Sequence, residues 1–302
     1  MERLSEVLRM AKAVYVDTSR TATNGKKKRK PHVVFDSEKV FEVDKLTKLK
    51  DVTEVYIDTL FPEIYEEVLE LLKRCVKVYL LKDISILKKL RMEHNMKKTD
   101  ENDATLLSKI PRDRFRLLTI QEMEKKTRLR PLINRYELLS KRVKILKQWI
   151  SGSEEKDDLK NSIKLMIKVM EKEKKKVAKE VIQTLSNDAV YREVCKLLGI
   201  KNSVELAILT IELPLHLSLN TLKAVVGLTP NRNKGRFNHS LHDHLSRLAI
   251  NIYVNVKRWK DRWEAPEEFR EIVDSLPREK AIYKLHSRIL KMFRRAYFLA
   301  ND

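Results

Sequence analysis

The chain has 302 residues, 42% of them hydrophobic and 35% charged, enough apolar content for one large or two ordinary globular cores. Its 64 Lys and Arg outnumber 43 Asp and Glu, leaving a formal net charge of +21. So one-sided a surplus concentrates polyanions and argues against a merely charge-rich surface, in which the two signs would balance; nucleic acid is the partner it favours.

The N-terminal segment MERLSEVLRMAK carries two Glu and has no apolar secretory core, so it reads as part of the folded protein. AVYVD (13–17) is the first strand-like run, followed by HVVFD (32–36) and KVFEV (39–43). Between the first two, Asn24-Gly25 and the basic run Lys26, Lys27, Lys28, Arg29 and Lys30 predict a positively charged turn able to grip a phosphate backbone. EVYID (54–58) and VKVYLL (76–81) are two more strands. PEIYEEVLELLKR (62–74) separates them, with apolar residues at helical spacing and Pro62 at a favourable helix start. Together these elements predict a mixed α/β sheet over 1–112.

From about residue 113 the period becomes helical. Leu129, Leu132, Tyr136, Leu139, Val143, Leu146 and Ile150 share one face, ISGSEEKDD breaks the pattern, and Leu159, Ile163, Met166, Met170, Val177, Val181 and Leu185 resume it. The expectation is a long helical hairpin or coiled-coil arm over 113–189, able to dimerise or to space domains. Residues 190–302 read as an all-α domain. Cys75 and Cys195 can form neither a disulfide framework nor a zinc cluster by themselves, which fits a reducing compartment. No apolar run reaches the ~18 residues of a membrane span, so no membrane partner is expected.

The residues suited to chemistry are acidic. Asp17 and Asp58 end two predicted strands, and Asp100 and Asp103 share a face if their segment is helical. Short carboxylates give hard oxygen ligands with little rotamer freedom, suited to Mg²⁺ or Mn²⁺ and to phosphodiester chemistry. Elsewhere, His239, His242 and His244 form a small cluster that reads better as a polar or phosphate-contacting helix than as a metal site. Arg232, Lys234, Arg236 and Arg247 make a second basic patch, Trp259 and Trp263 read as core residues, and Gly199 as a turn.

YVDTSR (15–20), IDTLFPEIY (57–65) and KTDENDATLLSKI (98–110), with AVVGLTPNRNKGRF (224–237) and LSRLAINIY (245–253) farther on, resemble the DEDD transposases of bridge-RNA-guided insertion sequences and the related Piv-type DNA invertases. The resemblance runs from about residue 13 to about 255. It implies an RNase H/RuvC-like N-terminal domain, a helical hairpin and a C-terminal transposase domain. Asp17, Asp58, Asp100 and Asp103 would be catalytic metal ligands, DNA the substrate, a structured guide RNA a possible partner and a homodimer or tetramer the assembly. The implied location is cytoplasmic, associated with the nucleoid of a prokaryote or its mobile element. Asp58 stands where the family usually has Glu, and Leu60 where it has Gly. Lys234 precedes Gly235 where the family's nucleophilic Ser belongs; Ser240 lies nearby, with flanks that match nothing. Loss of that serine leaves an alternative, a catalytically impaired nucleic-acid-binding or ribonucleoprotein scaffold derived from such a transposase.

Overall fold

The computed structural model describes residues 12–20, 30–152, 157–229, 237–258, 263 and 265–301. The chain divides into two compact units, Met1–Arg130 and Pro131–Asp302.

The first unit is built on one mixed sheet in the order β3-β2-β1-β4-β5-β6. β1 (Ala13–Asp17), β2 (His32–Phe35) and β3 (Val40–Val43) run antiparallel in succession. β4 (Glu54–Ile57) then lies parallel to β1, and β5 (Lys77–Leu81) parallel to β4, with α1 (Tyr65–Lys73) as the crossover between them. All five strands lie where the β-branched and aromatic runs predict them. A sixth, β6 (Phe115–Leu117), pairs antiparallel with β5. It has three residues, with Arg114 before it and Arg116 within it, too short for alternation to mark it.

The period-2 alternation of β1 sorts its side chains onto two faces. Val14 and Val16 enter a core with Val55, Ile57, Val68 and Leu71, closed by α1. Ala13 and Tyr15 face the other way, toward a second core containing Tyr56, Leu87, Leu106 and Phe115. Tyr15, Tyr56 and Tyr79 are in register across β1, β4 and β5 and stack with ring centroids 5.1 and 4.7 Å apart. Such cross-strand aromatic pairs hold the register that aligns the strand ends. This face is covered by α2 (Ser85–Glu93) and α3 (Asp100–Leu107), the latter packed on β1 and β2.

α4 (Ile120–Gly152) starts in the first unit and continues into the second, with Pro131 inside the helix. The second unit is helical: α5 (Asp157–Leu185), α6 (Ala189–Leu198), α7 (Val204–Glu212), α8 (Leu219–Val225), α9 (His239–Arg258), α10 (Glu267–Ser275) and α11 (Arg278–Leu299). α11 packs on α6, α9 and α10, and α7 on α9 and α5. Their inward faces bury Leu206, Leu209, Leu248, Ile252, Phe269 and Phe293. α6 ends on Gly199, whose φ of 63° is left-handed, while the Ile200 N–H reaches the Cys195 carbonyl. The predicted Gly turn is thus a helix C-cap. Trp263 donates its indole N–H to the Gly199 carbonyl at 2.8 Å, which anchors it to that cap; Trp259 lies outside the described residues.

No helix among the described residues is long and apolar enough to cross a membrane.

Candidate functional site

Asp17 is the last residue of β1, and Asp58 follows the last residue of the adjacent parallel β4. By alternation Asp17 shares the face of Tyr15, and Asp58 that of Tyr56, which is the face α3 covers. α3 begins at Asp100 because Thr99 caps it, its side chain accepting the Asn102 N–H. Asp100 and Asp103 therefore both fall in the first turn of that helix, as the i, i+3 spacing expects. Carboxylates in a first turn are favoured by the helix dipole.

Asp17 senses the other three aspartates. Burial, followed by the charges of Asp58, Asp100 and Asp103, pushes the half-buried Asp17 carboxyl up to about 8. Asp58 is buried, and burial raises its carboxyl despite hydrogen bonds from Thr18 and Thr59 that favour the charged form. Thr18 donates its N–H to Asp58 Oδ1 at 2.8 Å, and its hydroxyl is shared between the same Oδ1 at 2.8 Å and the Thr59 carbonyl at 2.7 Å. Thr59 donates its hydroxyl to Asp58 Oδ2 at 3.0 Å. The next residue, Ser19, is fixed too, its N–H donating to His32 Nδ1 at 3.0 Å and its hydroxyl to the Pro31 carbonyl at 2.8 Å.

Cations hold the helix-borne pair. Arg91 of α2 contacts both oxygens of Asp103 through Nη1, at 2.5 and 2.6 Å, with both side chains largely buried. Lys30 donates to Asp100 Oδ2, and this bond raises the lysine's pKa. Among the described residues, no three His, Cys, Asp or Glu side chains stand in metal-ligand geometry. What these side chains offer is a set of hard oxygen donors, one of them, Asp17, raised by burial and by its acidic neighbours.

Lys30 thus lies beside an aspartate of the pocket. Lys26, Lys27, Lys28 and Arg29, together with Arg232, Lys234 and Arg236, lie outside the described residues. Arg247 belongs to a different cluster, in the second unit. There Glu205, buried on α7, accepts Tyr136 Oη at 3.0 Å and Arg247 Nη1 at 3.3 Å, and also bonds His244 Nδ1. His244 Nε2 lies 3.2 Å from Glu137 Oε1, the carboxylate to which Ser240 donates its hydroxyl. Burial opposes the charge on both His244 and Glu205, yet hydrogen bonding prevails, to Glu137 and Glu205 for the histidine and chiefly to His244 for the carboxyl, leaving the histidine above and the carboxyl below its ordinary range. His242 Nδ1 sits 2.8 Å from the Val226 carbonyl. The histidine cluster is therefore split: His244 is buried among carboxylates, His242 is half-buried beside the ring of His286, and His239 is exposed against the ring of Phe237.

Sequence reasoning missed Thr18, Thr59 and Arg91. The threonines stand directly after the two strand-end aspartates, a signal available in the sequence; Arg91 carries none, because its pairing depends on how α2 packs against α3.

The fold and this pocket define a class: a mixed α/β sheet with carboxylates at adjacent strand ends, followed by a mostly helical region. No family model and no curated protein matches the sequence.

Proposed function

We propose that Asp17, Asp58, Asp100 and Asp103 form a Mg²⁺- or Mn²⁺-dependent site of RNase H/RuvC-like type, and that the chain is a transposase- or recombinase-like protein acting on DNA phosphodiesters. The observation that carries this reading is the packing of α3, with Asp100 and Asp103 in its first turn, against the strand end that carries Asp17 beside Asp58; burial, then the charges of these three acids, raises the Asp17 carboxyl. Asp17 and Asp58 are both raised by burial, and buried carboxylates with shifted pKa values are enriched at functional sites. A divalent ion bound there would supply charge neutralisation and a more acidic water for attack on phosphorus.

The chain's own residues have definable parts. Thr18 and Thr59 fix the orientation of Asp58, leaving Asp17 as the carboxylate whose protonation state answers to ligand binding. Lys30 and Arg91 hold Asp100 and Asp103 in place, and Lys30 has the reach and charge to exchange a carboxylate for a phosphate oxygen. The charge of +21 supports nucleic acid as the substrate. A guide RNA, a paired helical arm formed by α4 and α5, a homodimer or tetramer, and a cytoplasmic, nucleoid-associated setting belong to the same reading through the sequence resemblance.

The pairing of Asp100 and Asp103 with cations favours a second reading, a nucleic-acid-binding scaffold whose carboxylates serve structure. Titration of Mn²⁺ followed by electron paramagnetic resonance separates the two, combined with cleavage of labelled four-way DNA junctions in Mg²⁺. The enzyme reading expects bound Mn²⁺ and cleavage, both lost in Asp17→Asn and Asp100→Asn. Equal Mn²⁺ binding and equal cleavage in wild type and variants would reject the pocket; DNA binding with neither property would establish the scaffold.

A further inference from the structure

One face of α5 carries positive charge that internal pairing does not use. At 100° per residue, Lys164, Lys168, Lys172, Lys175, Lys176 and Lys179 fall within an arc of about 120° on the helix, and between Lys164 and Lys179 no Asp or Glu shares that arc. All six are exposed. The opposite side of the helix buries Ile167, Val177, Val181 and Leu185, so the lysines face away from the core. Two neighbouring acids of α5 are already engaged, Glu171 by Lys147 at 2.6 Å and Glu173 by Arg135 at 2.8 Å. Among the described residues none of the six lysines forms a salt bridge.

From Lys164 to Lys179 the stripe runs roughly 22 Å along the helix, a length over which one strand of a duplex presents about six phosphates. The same arc holds only Leu165 and Ile182 as apolar residues and no aromatic ring. It therefore lacks the anchors of a protein-binding hot spot and the broad apolar face of a membrane-surface helix.

We propose that this face of α5 is a sequence-nonspecific binding surface for the phosphate backbone of nucleic acid. The proposal extends the functional reading above by giving the polyanion a second, non-catalytic foothold, and it rests on nucleic acid being the partner. It requires nothing of the aspartate pocket.

The test uses the full chain carrying Lys168→Gln, Lys172→Gln, Lys175→Gln and Lys179→Gln together, since Gln preserves helix propensity. Far-ultraviolet circular dichroism confirms that the helices persist. Fluorescence anisotropy with a labelled duplex DNA and, separately, a labelled single-stranded RNA is read across a salt series from about 50 to 200 mM. The slope of log affinity against log salt should fall by about 3 to 4 with the polymer this face binds, with at least a tenfold loss of affinity near physiological salt. A control changing Lys50, Lys77, Lys88 and Lys109 to Gln should leave the slope within about one of wild type. Equal slopes for the α5 variant and the control would overturn the proposal while leaving the aspartate pocket standing. Failure of the wild type to bind either polymer would sink both readings, whereas loss of Mn²⁺ binding alone bears only on the pocket.

Discussion

Thr18 contacts Asp58 twice, its backbone N–H and its hydroxyl oxygen each 2.8 Å from the same carboxylate oxygen. The two residues are 40 positions apart in sequence, and the contact ties the end of β1 to the end of β4 at the depth where the aspartates meet. Thr18→Val keeps the shape and the N–H but removes the hydroxyl from a buried carboxylate. The expected cost is about 1–2 kcal/mol in urea unfolding, with Thr18→Ser recovering most of it. A Val variant as stable as wild type would show that the hydroxyl contributes nothing to orienting Asp58.

Asp17 should make the unliganded protein less stable as pH rises. Its folded carboxyl titrates near 8 against an unfolded value near 4, so between these limits the folded state holds a proton that the unfolded state has released. Its contribution is fully present below about pH 4 and is lost through about pH 8. Asp17→Asn removes this dependence and should gain roughly 1–3 kcal/mol at pH 8 relative to wild type, after allowance for solvent screening at a half-buried position. Thermal melts of both proteins at pH 5 and pH 8 measure it; parallel losses in the two proteins would contradict the assignment.

Arg91 is the partner whose removal should be felt most. Asp103 is buried, and Arg91→Ala leaves its charge without a counter-ion, at an expected cost of about 3–5 kcal/mol. Replacing the pair together, Arg91→Met with Asp103→Leu, should cost less than the single change, since no orphaned charge remains. Chemical denaturation of the three proteins closes this comparison, and a double variant no better than Arg91→Ala would refute it.

In the helical unit, His244 and Glu205 set an acid and an alkaline limit. The histidine's raised pKa gives stability that is complete below its ordinary range near 6.5 and fades as pH climbs through the folded value. The carboxyl's lowered pKa gives stability that holds above its ordinary range near 4.5 and fades as pH falls through the folded value. The pair should therefore be strongest between these ordinary values, in mildly acidic solution, and His244→Gln should flatten the alkaline side of that profile. Nuclear magnetic resonance titration of the His244 ring checks the direction directly: a midpoint below that of a free histidine would exclude it.

Much of the sheet could be read from the sequence because its strands are built from runs such as AVYVD and EVYID, where β-branched and aromatic residues leave few alternatives. Asp17 and Asp58 stood out because each closes such a run, and Asp100 and Asp103 through their i, i+3 spacing; that Thr99 caps their helix is known only from the fold. β6 escaped notice because its partner β5, and not its own three residues, makes it a strand. The network of Tyr136, Glu137, Glu205, His244 and Arg247 was invisible for a related reason. Its members come from α4, α7 and α9, and only packing of those helices tells a buried, ion-paired histidine from a solvent-facing one.

Parallel pairing of β1 with β4 means that no short hairpin can bring Asp17 and Asp58 together. The chain must close a long loop first, and α3 must then dock before the remaining two acids arrive. A fragment ending at Asp103 would contain all four acids yet cut α3 after its first turn, without Leu106 and Leu107, the side chains that seat that helix in the core.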